Sequence, residues 1–261
     1  MTDIKISIIT VVLNGKKYIR ECLENFKKQN YENKEHIIID GGSDDGTIDV
    51  IKEWIELENK NITFIILEKS GIYDAINTGI DASSGDVIGL LHVGDYYPNT
   101  KVLEHISQCF LMNKNLECYF GGALLIDKDQ IVRFYHSFFF RKWMLLFGVM
   151  PAHTASYFRR HVYLNYKYSN LYKSAGDYDF FLRVLNNKLF IKHEYKCLIK
   201  MRSGGKSTNG ISSYVNTLNE QILSLKKNRR LTFFIYLKFP LKYFLYRILP
   251  IFIKHDDISN W

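Results

Sequence analysis

Cysteine is scarce in this chain of 261 residues. The four cysteines, Cys22, Cys109, Cys118 and Cys197, are scattered, without a CxxC pair and without the histidine spacing typical of a zinc motif. A disulfide framework needs regularly spaced, paired cysteines, and a zinc ribbon needs close pairs. The pattern therefore predicts buried thiols in a reducing compartment.

The sequence also lacks the marks of several protein classes. The first residues, MTDIKISIITVVLN, have no basic start, no long apolar centre and no small-residue cleavage site, so they do not resemble a signal peptide. The pattern GxGxxG of a dinucleotide-binding dehydrogenase is absent from TVVLNGKK, which follows the first apolar run. No internal repeat and no low-complexity linker occurs. We therefore expect a cytoplasmic protein that is not such a dehydrogenase.

The composition is that of a globular protein with a basic bias. Apolar residues make up 47% and charged residues 24%, and the formal net charge is +8. This charge indicates an anionic partner: nucleic acid, an acidic membrane surface or a phosphorylated substrate. Because the basic residues concentrate with aliphatic residues near the C-terminus and no recognition motif occurs, we expect no nucleic-acid partner.

Short apolar runs alternate with amphipathic segments over the first 95 residues. In the first such segment, for example, Ile19, Cys22, Leu23 and Phe26 recur at helical spacing. The predicted strands are 5–14, 35–42, 62–68 and 86–95, and the predicted helices are 16–29, 43–58 and 72–83. Such regular alternation predicts an α/β fold with a mostly parallel sheet flanked by helices.

Acidic loops follow the predicted strands. Right-handed crossovers bring the carboxyl ends of parallel strands to one edge of the sheet. The loops at that edge are LNGKK, DGGSDDGT, EKSGIYD and HVGDYYP, three of which carry acids. A sheet does not need these acids for stability, so they suit a polar-ligand site. For Asp95 in HVGD, the residues alone leave two interpretations open: a turn residue that caps its own backbone, or a metal ligand.

The pattern changes beyond about residue 115. Strands are predicted at 117–126 and 130–140 and a helix at 174–187, whereas 141–160 show no clear period and 203–210 resemble a loop. We therefore divide the chain into a first half (1–115), a second half of α+β character (116–225) and a tail (226–261).

The tail is basic and aromatic. Residues 229–254 hold six basic residues and no acid, interleaved with aromatic and aliphatic side chains. Lys238, Pro240, Lys242 and Arg247 interrupt the apolar run, so a transmembrane helix is not expected. The pattern favours an amphipathic segment lying on an anionic membrane surface. The alternative is a terminal helix packed on the core with its basic groups reaching water.

The stretch IIIDGGSDDGT resembles the strand–turn–helix signature of the family 2 glycosyltransferases, which have the GT-A fold. Three further stretches resemble the family in the same order: ISIITVVLNGKKYIRECLENFKKQNY, EKSGIYDAINTGIDASSGDVIGLLHVGD, and HTASYFRR with SAGDYDFFLRV. The resemblance covers about residues 4–210. It implies a Rossmann-like GT-A domain whose first half (1–115) binds a nucleotide-sugar donor. It also implies that the second half (116–225) binds the acceptor and carries the catalytic base.

The resemblance assigns Asp95 to the metal-binding position of the family. Val93 and Gly94 stand where further acids are common, so Asp95 would be the sole protein carboxylate at a Mn²⁺ or Mg²⁺ ion. Such an ion prefers carboxylate ligands and stabilises charge on a diphosphate leaving group. Gly94 is included among the donor-binding residues.

The same resemblance assigns the donor pocket. Asp40 would accept hydrogen bonds from the base or ribose, although Gly41 replaces a second acid common in the family. Val11 and Asn14 are expected to line that pocket. The remaining candidates on the next loop and helix are Glu68, Asp74 and Asn77, and Asp74 is equally consistent with a charge at a helix N-terminus.

Asp177 matches the aspartate of the family's ED motif, with Gly176 in place of the glutamate. The resemblance implies an inverting enzyme, in which Asp177 takes a proton from the acceptor hydroxyl. Asp179 is the rival base, but it lies two residues further along a helix and so points elsewhere. Candidates for acceptor or phosphate contacts are His153, Arg202, Lys206 and Ser207.

The QXXRW motif of processive polysaccharide synthases is absent, which favours transfer of a single sugar. We expect a UDP-sugar donor and a saccharide acceptor on a polyprenyl diphosphate at the inner face of the membrane, in cell-surface polysaccharide synthesis. A homo-oligomer is compatible with the sequence. The alternatives are a sugar-nucleotidyltransferase, for which LNGKKYI is a poor match to the glycine-rich basic loop, and a non-catalytic nucleotide- or saccharide-binding module.

Overall fold

A computed structural model describes residues 3–58, 61–128, 130–203, 210–230 and 232–237. The strands in these ranges are β1 (Ile6–Val12), β2 (Lys34–Asp40), β3 (Ile62–Ile66), β4 (Val87–Leu90), β5 (Asp95–Tyr96), β6 (Cys118–Asp127), β7 (Gln130–Tyr135), β8 (Ser156–Arg159) and β9 (Ile191–Arg202). The α-helices are α1 (Lys16–Lys27), α2 (Thr47–Glu58), α3 (Ile72–Ala82), α4 (Val102–Met112), α5 (Arg160–Asn165), α6 (Gly176–Leu185) and α7 (Gly210–Lys227). Three 3₁₀ turns cover Lys142–Phe147, His153–Ala155 and Phe233–Leu237.

One sheet holds all nine of these strands together. Its order is β3, β2, β1, β4, β8, β6, β9 and β5, and β7 also pairs with β6. β1 lies between β2 and β4 and is parallel to both, and β2 is parallel to β3. β8 is antiparallel to β4 and to β6. The predicted α/β fold is confirmed: the first half is a parallel sheet, and the second half mixes the two directions.

The central parallel strands β1 and β4 are buried on both faces, as parallel sheets usually are, whereas the edge strand β3 is partly exposed. Ile6, Ile8 and Ile9 of β1 are fully buried, which explains the continuous β-branched run in the sequence. Helix α3 packs directly on this strand. A Cβ atom at Gly79 of α3 would lie 2.4 Å from Cγ2 of Ile9, so only glycine permits the helix to approach so closely.

Helix α6 is held in an aromatic core. The ring of Phe180 stacks on Tyr163 and Tyr168, with ring centroids 5.0 and 4.6 Å away, and packs edge-on against Phe158 at 5.3 Å. Such aromatic pairs contribute about 0.5–1.5 kcal/mol each beyond the area they bury. The N-terminal turn of α6, which carries Asp177, is thereby anchored to the sheet.

Several elements differ from the sequence-based expectation. The strand predicted over 86–95 ends at Leu90, because residues 91–94 turn before β5, and the strand predicted over 130–140 ends at Tyr135. Helices α4, α5 and α7 and strands β8 and β9 were not predicted. The predicted division at residue 115 falls between α4 and β6, and the division at 225 falls within α7. The three-part division stays a prediction.

Most of the predicted amphipathic tail (226–261) lies outside the described residues, which reach residue 237 apart from residue 231. Within the described ranges, no helix has the length and apolar character needed to span a bilayer.

Candidate active site

The loops after β1 and β2, at the carboxyl edge of the sheet, are joined by hydrogen bonds between backbone N–H groups and side-chain oxygens. The backbone N–H of Asn14 donates to Oγ of Ser43 (2.8 Å), and the Asn14 side-chain oxygen accepts from the N–H of Asp44 (3.0 Å). Two residues further along, the N–H of Lys16 donates to Asp45 (3.0 Å). Asn14 has a φ of 55°, a left-handed conformation that asparagine tolerates well. Asn14 thus joins the loop after β1 to the loop after β2.

Asp40 is fully buried at the end of β2. Its Oδ1 atom accepts from the N–H groups of Gly42 (2.9 Å) and Ser43 (2.7 Å), whereas Oδ2 has no hydrogen-bond partner among the described residues. Gly42 has a φ of +93°, and a Cβ atom there would lie 3.0 Å from the backbone nitrogen of Lys69, so the loop requires glycine. A buried acceptor without a partner is costly, and a ligand N–H or O–H group would satisfy it.

The other candidates for donor binding differ in their surroundings. Val11 is half-buried on β1, and Glu68 and Asp74 are exposed, Asp74 in the first turn of α3. The side-chain amide of Asn77 bonds the backbone of Tyr168 in both directions, at 2.8 and 2.9 Å. Asn77 therefore joins α3 to the segment before α6, and this contact uses both the oxygen and the nitrogen of its amide.

Asp95 begins β5 and pairs with Met201 of β9. Burial raises the pKa of its carboxyl group to about 7, although the nearby His153 acts in the opposite direction. The preceding Gly94 has a φ of +97°, and a Cβ atom there would meet nothing within 4 Å, so this backbone borders open space. A carboxylate whose charge is so poorly compensated fits a divalent cation, which would supply the missing positive charge.

His153 connects the loop of Asp95 to the N-terminus of α6. Its Nε2 atom lies 2.8 Å from Nε2 of His92, and its Nδ1 atom lies 3.4 Å from Oδ2 of Asp177. Burial lowers the pKa of His92 to about 3, with His153 adding to the effect, so His92 is neutral near pH 7. The chain His92–His153–Asp177 thus brings the proposed base to the loop that precedes β5.

The N-terminus of α6 is fixed by a residue of α7. The carboxylate of Glu220 accepts from the backbone N–H groups of residues 173, 174 and 175, at 3.0, 2.9 and 2.8 Å. Negative charge at this end of a helix is favourable because the exposed N–H groups and the helix dipole are positive there. Asp177 follows directly, in the first turn.

Asp179, the alternative base, forms an ion pair and a hydrogen bond within the folded core. It is 3% exposed and forms an ion pair with Arg183 (2.7 Å), and its other oxygen accepts from Oγ of Ser224 of α7 (2.8 Å). Asp177 is more open, with a side chain 16% exposed. The two acids therefore have different roles: Asp177 faces His153, and Asp179 holds α6 against α7.

Arg202 lies at the end of β9 and is paired with Glu21 of α1 (2.8 Å), which raises the arginine pKa. Its guanidinium group also lies over the rings of Tyr18 and Tyr96, at 5.0 and 5.4 Å from the ring centroids. These residues border a cavity of about 310 Å³ that is further lined by Ile126, Asp127, Lys128 and Ser203. Lys206 and Ser207, also predicted for phosphate contact, lie outside the described residues.

A second group of possible metal ligands lies on α4 and β9. His105, Cys109 and Glu194 bring their ligand atoms within 4.8 Å of one another, which the scattered cysteines did not predict. Nε2 of His105 lies 2.8 Å from Glu194, and Nζ of Lys192 lies 2.5 Å from Glu194 and 3.3 Å from Sγ of Cys109. Lys192 therefore already provides a positive charge there, and the network is satisfied without a cation.

Comparison of the sequence with known families gives one decisive match. The model of the family described as "Glycosyl transferase family 2" matches residues 7–190, well over half of the chain. The chain belongs to glycosyl transferase family 2. The match includes the segments with Asp40, Asp95, His153 and Asp177.

Two curated relatives of this family 2 chain are longer proteins. It is 26% identical over 230 residues to "Glycosyltransferase GlyA" of Streptococcus pneumoniae, covering 87% of this chain and 30% of the relative. It is 41% identical over 121 residues to a dolichyl N-acetyl-alpha-D-glucosaminyl phosphate 3-beta-D-2,3-diacetamido-2,3-dideoxy-beta-D-glucuronosyltransferase of Methanococcus voltae, covering 45% of this chain and 37% of the relative. The chain thus spans about a third of the length of these two proteins.

Solved structures share the fold. TarS (residues 1–349) of S. aureus in complex with UDP-GlcNAc superposes with a TM-score of 0.68 at 15% identity, covering 98% of this chain and 78% of that one. The mannosyltransferase PcManGT of Pyrobaculum calidifontis, in complex with GDP-Man and Mn²⁺, gives 0.66 at 13% identity, covering 87% and 64%. At such identities the likeness concerns the fold, which confirms the GT-A architecture of this family 2 chain.

Sequence reasoning missed two residues of this site in the family 2 chain. His92 is part of the HVGD stretch, and its place directly after a buried strand was an available signal. Glu220 lies in α7, 43 positions after Asp177 in the numbering, with no local motif to connect them. Its role depends on how α7 packs on α6.

Proposed function

We propose that the protein transfers a single sugar, with inversion, from a nucleoside diphosphate donor to an acceptor hydroxyl. The observation that carries this proposal is the contact between His153 and Asp177, 3.4 Å, together with the 2.8 Å contact from His153 to His92. These contacts bring a carboxylate suited to be the base beside the loop of Asp95.

Asp40 holds the nucleoside of the donor. Its unpartnered Oδ2 atom would accept a hydrogen bond from an N–H group of the base or from a ribose hydroxyl. Uracil offers such an N–H group, and the fold neighbour TarS has been seen with UDP-GlcNAc, so a UDP-sugar is the favoured donor. Val11 and Asn14 lie beside Asp40 on β1 and its exit loop and complete the proposed pocket.

Asp95 holds the metal ion, Mn²⁺ or Mg²⁺. A bound divalent cation would act as a Lewis acid that neutralises charge on the departing diphosphate. The burial of Asp95 supports this role, since the carboxylate has no sufficient positive charge of its own. With valine and glycine at positions 93 and 94, the donor diphosphate and water would complete the coordination.

Asp177 is the base in the transfer step. The acceptor oxygen attacks the anomeric carbon from the side opposite the diphosphate, and a new C–O bond forms as the old C–O bond breaks. The hydroxyl proton passes to Asp177, and the nucleoside diphosphate leaves with the electron pair of the broken bond. His153 keeps the carboxylate oriented during this step.

The acceptor is a saccharide linked to a polyprenyl diphosphate, used in cell-surface polysaccharide such as O-antigen, capsule or exopolysaccharide. The name of the Methanococcus voltae relative includes a dolichyl-linked phosphate sugar, which supports a lipid-linked acceptor here. The basic, aromatic sequence of 229–254 supports a peripheral position on the anionic inner face of the membrane. Family membership favours sugar transfer over the alternative of a nucleotidyltransferase or a binding module.

A donor screen tests this proposal. Nucleotide-sugars are incubated with the full chain, with and without Mn²⁺, and release of nucleoside diphosphate and donor binding are measured. We expect one donor class to be used, with metal, and Asp95→Ala to abolish its use. Glu56→Ala, at an exposed acid on α2, is the matched control for a general loss of charge. Metal-independent binding of every donor, unchanged by Asp95→Ala, would refute the proposal.

A further inference from the structure

An aromatic surface forms where two segments distant in sequence meet. The ring of Phe147 lies 5.3 Å from that of Phe234, and Trp143 packs on Phe147 at 5.7 Å. Phe233, which contacts Phe234, is 69% exposed, and Trp143 is 53% exposed. We call Trp143, Phe147, Phe233 and Phe234 the aromatic surface. Grouped, exposed aromatic side chains of this kind mark an interaction site.

Positive charge borders the aromatic surface without a matching negative charge in the same segments. Residues 130–176 contain no Asp or Glu, and neither do residues 221–255. Exposed basic residues directly precede the aromatic ones: Arg141 and Lys142 before Trp143, and Arg229 and Arg230 before the turn with Phe233. Lys142 donates to the carbonyl of Asn187, and Arg230 donates to the side-chain oxygen of Asn186. Both acceptors are neutral, so the surface stays cationic.

We propose that the aromatic surface and its bordering basic residues dock on an anionic lipid bilayer. Aromatic side chains with adjacent Lys and Arg are suited to the interface of such a bilayer, where the rings enter the headgroup region and the cations meet phosphate groups. The chain continues from this surface into residues 238–254, whose sequence adds Lys238, Lys242, Arg247 and Lys254 and no acid. A second copy of the chain would bring the same positive charge against it, which disfavours self-association here.

The aromatic surface is coupled to the site through α6. The hydroxyl of Tyr178, the residue after Asp177, donates to the carbonyl of Leu145, which lies in the same 3₁₀ turn as Trp143 and Phe147. Docking would therefore hold the first turn of α6 in a defined position relative to the bilayer. This coupling rests on the proposed function, because docking would present Asp177 to a hydroxyl of a lipid-linked acceptor.

Vesicle binding tests the inference. The full chain is sedimented with vesicles of phosphatidylglycerol and phosphatidylcholine, and with phosphatidylcholine alone. The double variant Trp143→Ser with Phe233→Ser is compared with a matched control, Leu57→Ser with Met112→Ser, which removes two side chains that are 69% and 86% exposed elsewhere. We expect the surface variant to lower the partition coefficient on anionic vesicles roughly tenfold, and the control to change it by less than about twofold.

A charge variant provides a second measurement. Arg141→Gln with Lys142→Gln is expected to weaken binding to anionic vesicles at low salt and to leave the small binding to neutral vesicles unchanged. Melting temperature and donor hydrolysis without vesicles are recorded for every variant. If the wild-type protein does not hydrolyse the donor, the proposed function alone is refuted. If the wild-type protein binds anionic and neutral vesicles equally, this inference alone is refuted.

Two results would overturn the inference. The first is that the aromatic variant and the charge variant both bind anionic vesicles as strongly as the wild type does. Lipid contact would then belong to another part of the chain. The second is a dimer in solution that the Trp143→Ser, Phe233→Ser variant converts to a monomer without any change in vesicle binding. That result would make the aromatic surface an interface between two copies.

Discussion

His153 lies between a loop and a helix, with its Nδ1 atom 3.4 Å from Oδ2 of Asp177. Since Nε2 of the same ring is 2.8 Å from His92, which is neutral near pH 7, the two histidines must share one proton along that contact. In the tautomer in which Nε2–H of His92 donates, Nε2 of His153 accepts, and the Nδ1 side of the His153 ring faces Asp177. The other oxygen of Asp177, Oδ1, accepts from the backbone N–H of Tyr178 at 2.8 Å, so the carboxylate is oriented from both sides.

Asp177→Asn is expected to lower kcat by about 10²–10⁴-fold with little change in the donor KM, because the amide cannot take the acceptor proton. Steady-state kinetics on a purified acceptor measures this. Asp179→Asn is the matched control two residues away: it should lower the free energy of unfolding by roughly 1.5–3 kcal/mol through its contacts to Arg183 and Ser224, and leave kcat of the folded fraction nearly unchanged. Equal loss of kcat in both variants would contradict the assignment.

Glu220→Gln is expected to lower both stability and kcat, because the amide removes the negative charge from three N–H groups at the start of α6. The stability loss should be about 1 kcal/mol, the usual size of a helix-cap effect. Thermal unfolding and kinetics on the same samples measure the two quantities. An unchanged kcat with a lowered melting temperature would show that Glu220 has no part in positioning Asp177.

The variant Asp40→Asn is expected to weaken donor binding without changing the stability of the fold. The asparagine keeps a side-chain oxygen for the N–H groups of Gly42 and Ser43 but replaces Oδ2 with an N–H₂ group, which cannot accept from the donor. We expect donor affinity to fall by roughly 1.5–3 kcal/mol, with an unchanged melting temperature. Titration calorimetry with the best nucleotide-sugar measures this, and Asp44→Asn on the same loop is the control. Equal donor affinity in the Asp40→Asn variant and the wild type would disprove the contact.

Metal binding should depend on pH through Asp95. A metal ion binds the ionised carboxylate, and the pKa of that group without metal is raised to about 7. Below this pKa a proton must leave for each ion bound, so apparent Mn²⁺ affinity should rise about tenfold per pH unit up to pH 7 and level off above it. Donor-dependent Mn²⁺ binding at pH 6, 7 and 8 measures the effect, and Asp95→Asn should remove it. The same affinity at all three pH values would argue against Asp95 as the ligand.

The His105–Glu194 pair should stabilise the fold in a pH-dependent way. Cys109 and Glu194 raise the pKa of His105 from 6.5 to about 9, so the stabilisation is fully present below pH 6.5 and is lost as the pH rises through 9. We expect a loss of about 1–2 kcal/mol, since both side chains are roughly a quarter exposed and solvent screens the pair. Urea unfolding at pH 6 and pH 9.5 measures it. A His105→Gln variant with the same pH dependence as the wild type would refute this origin.

The first half of the fold could be predicted because its signals are local. The runs in β1 and β2 are continuous and β-branched, and the face of α1 with Ile19, Cys22, Leu23 and Phe26 has a helical period. β9 was missed because IKHEYKCLIKMR neither alternates nor runs apolar, and it is a strand because it pairs with β6 and β5. α7 was missed because its contacts to α6 depend on polar residues such as Glu220 and Ser224.

By itself, the sequence determined the α/β class, the edge of the sheet where the acidic loops lie, and the family to which the motifs belong. When buried strands alternate with helices, right-handed crossovers place the carboxyl ends of the parallel strands at one edge of the sheet, independently of the rest of the chain. Only the tertiary structure showed which acids take part in packing contacts. Asp177 and Asp179 stand two positions apart, and packing of α7 commits Asp179 to Arg183 and Ser224 while Asp177 faces His153. Such a choice depends on contacts between residues far apart in the chain, which no local pattern contains.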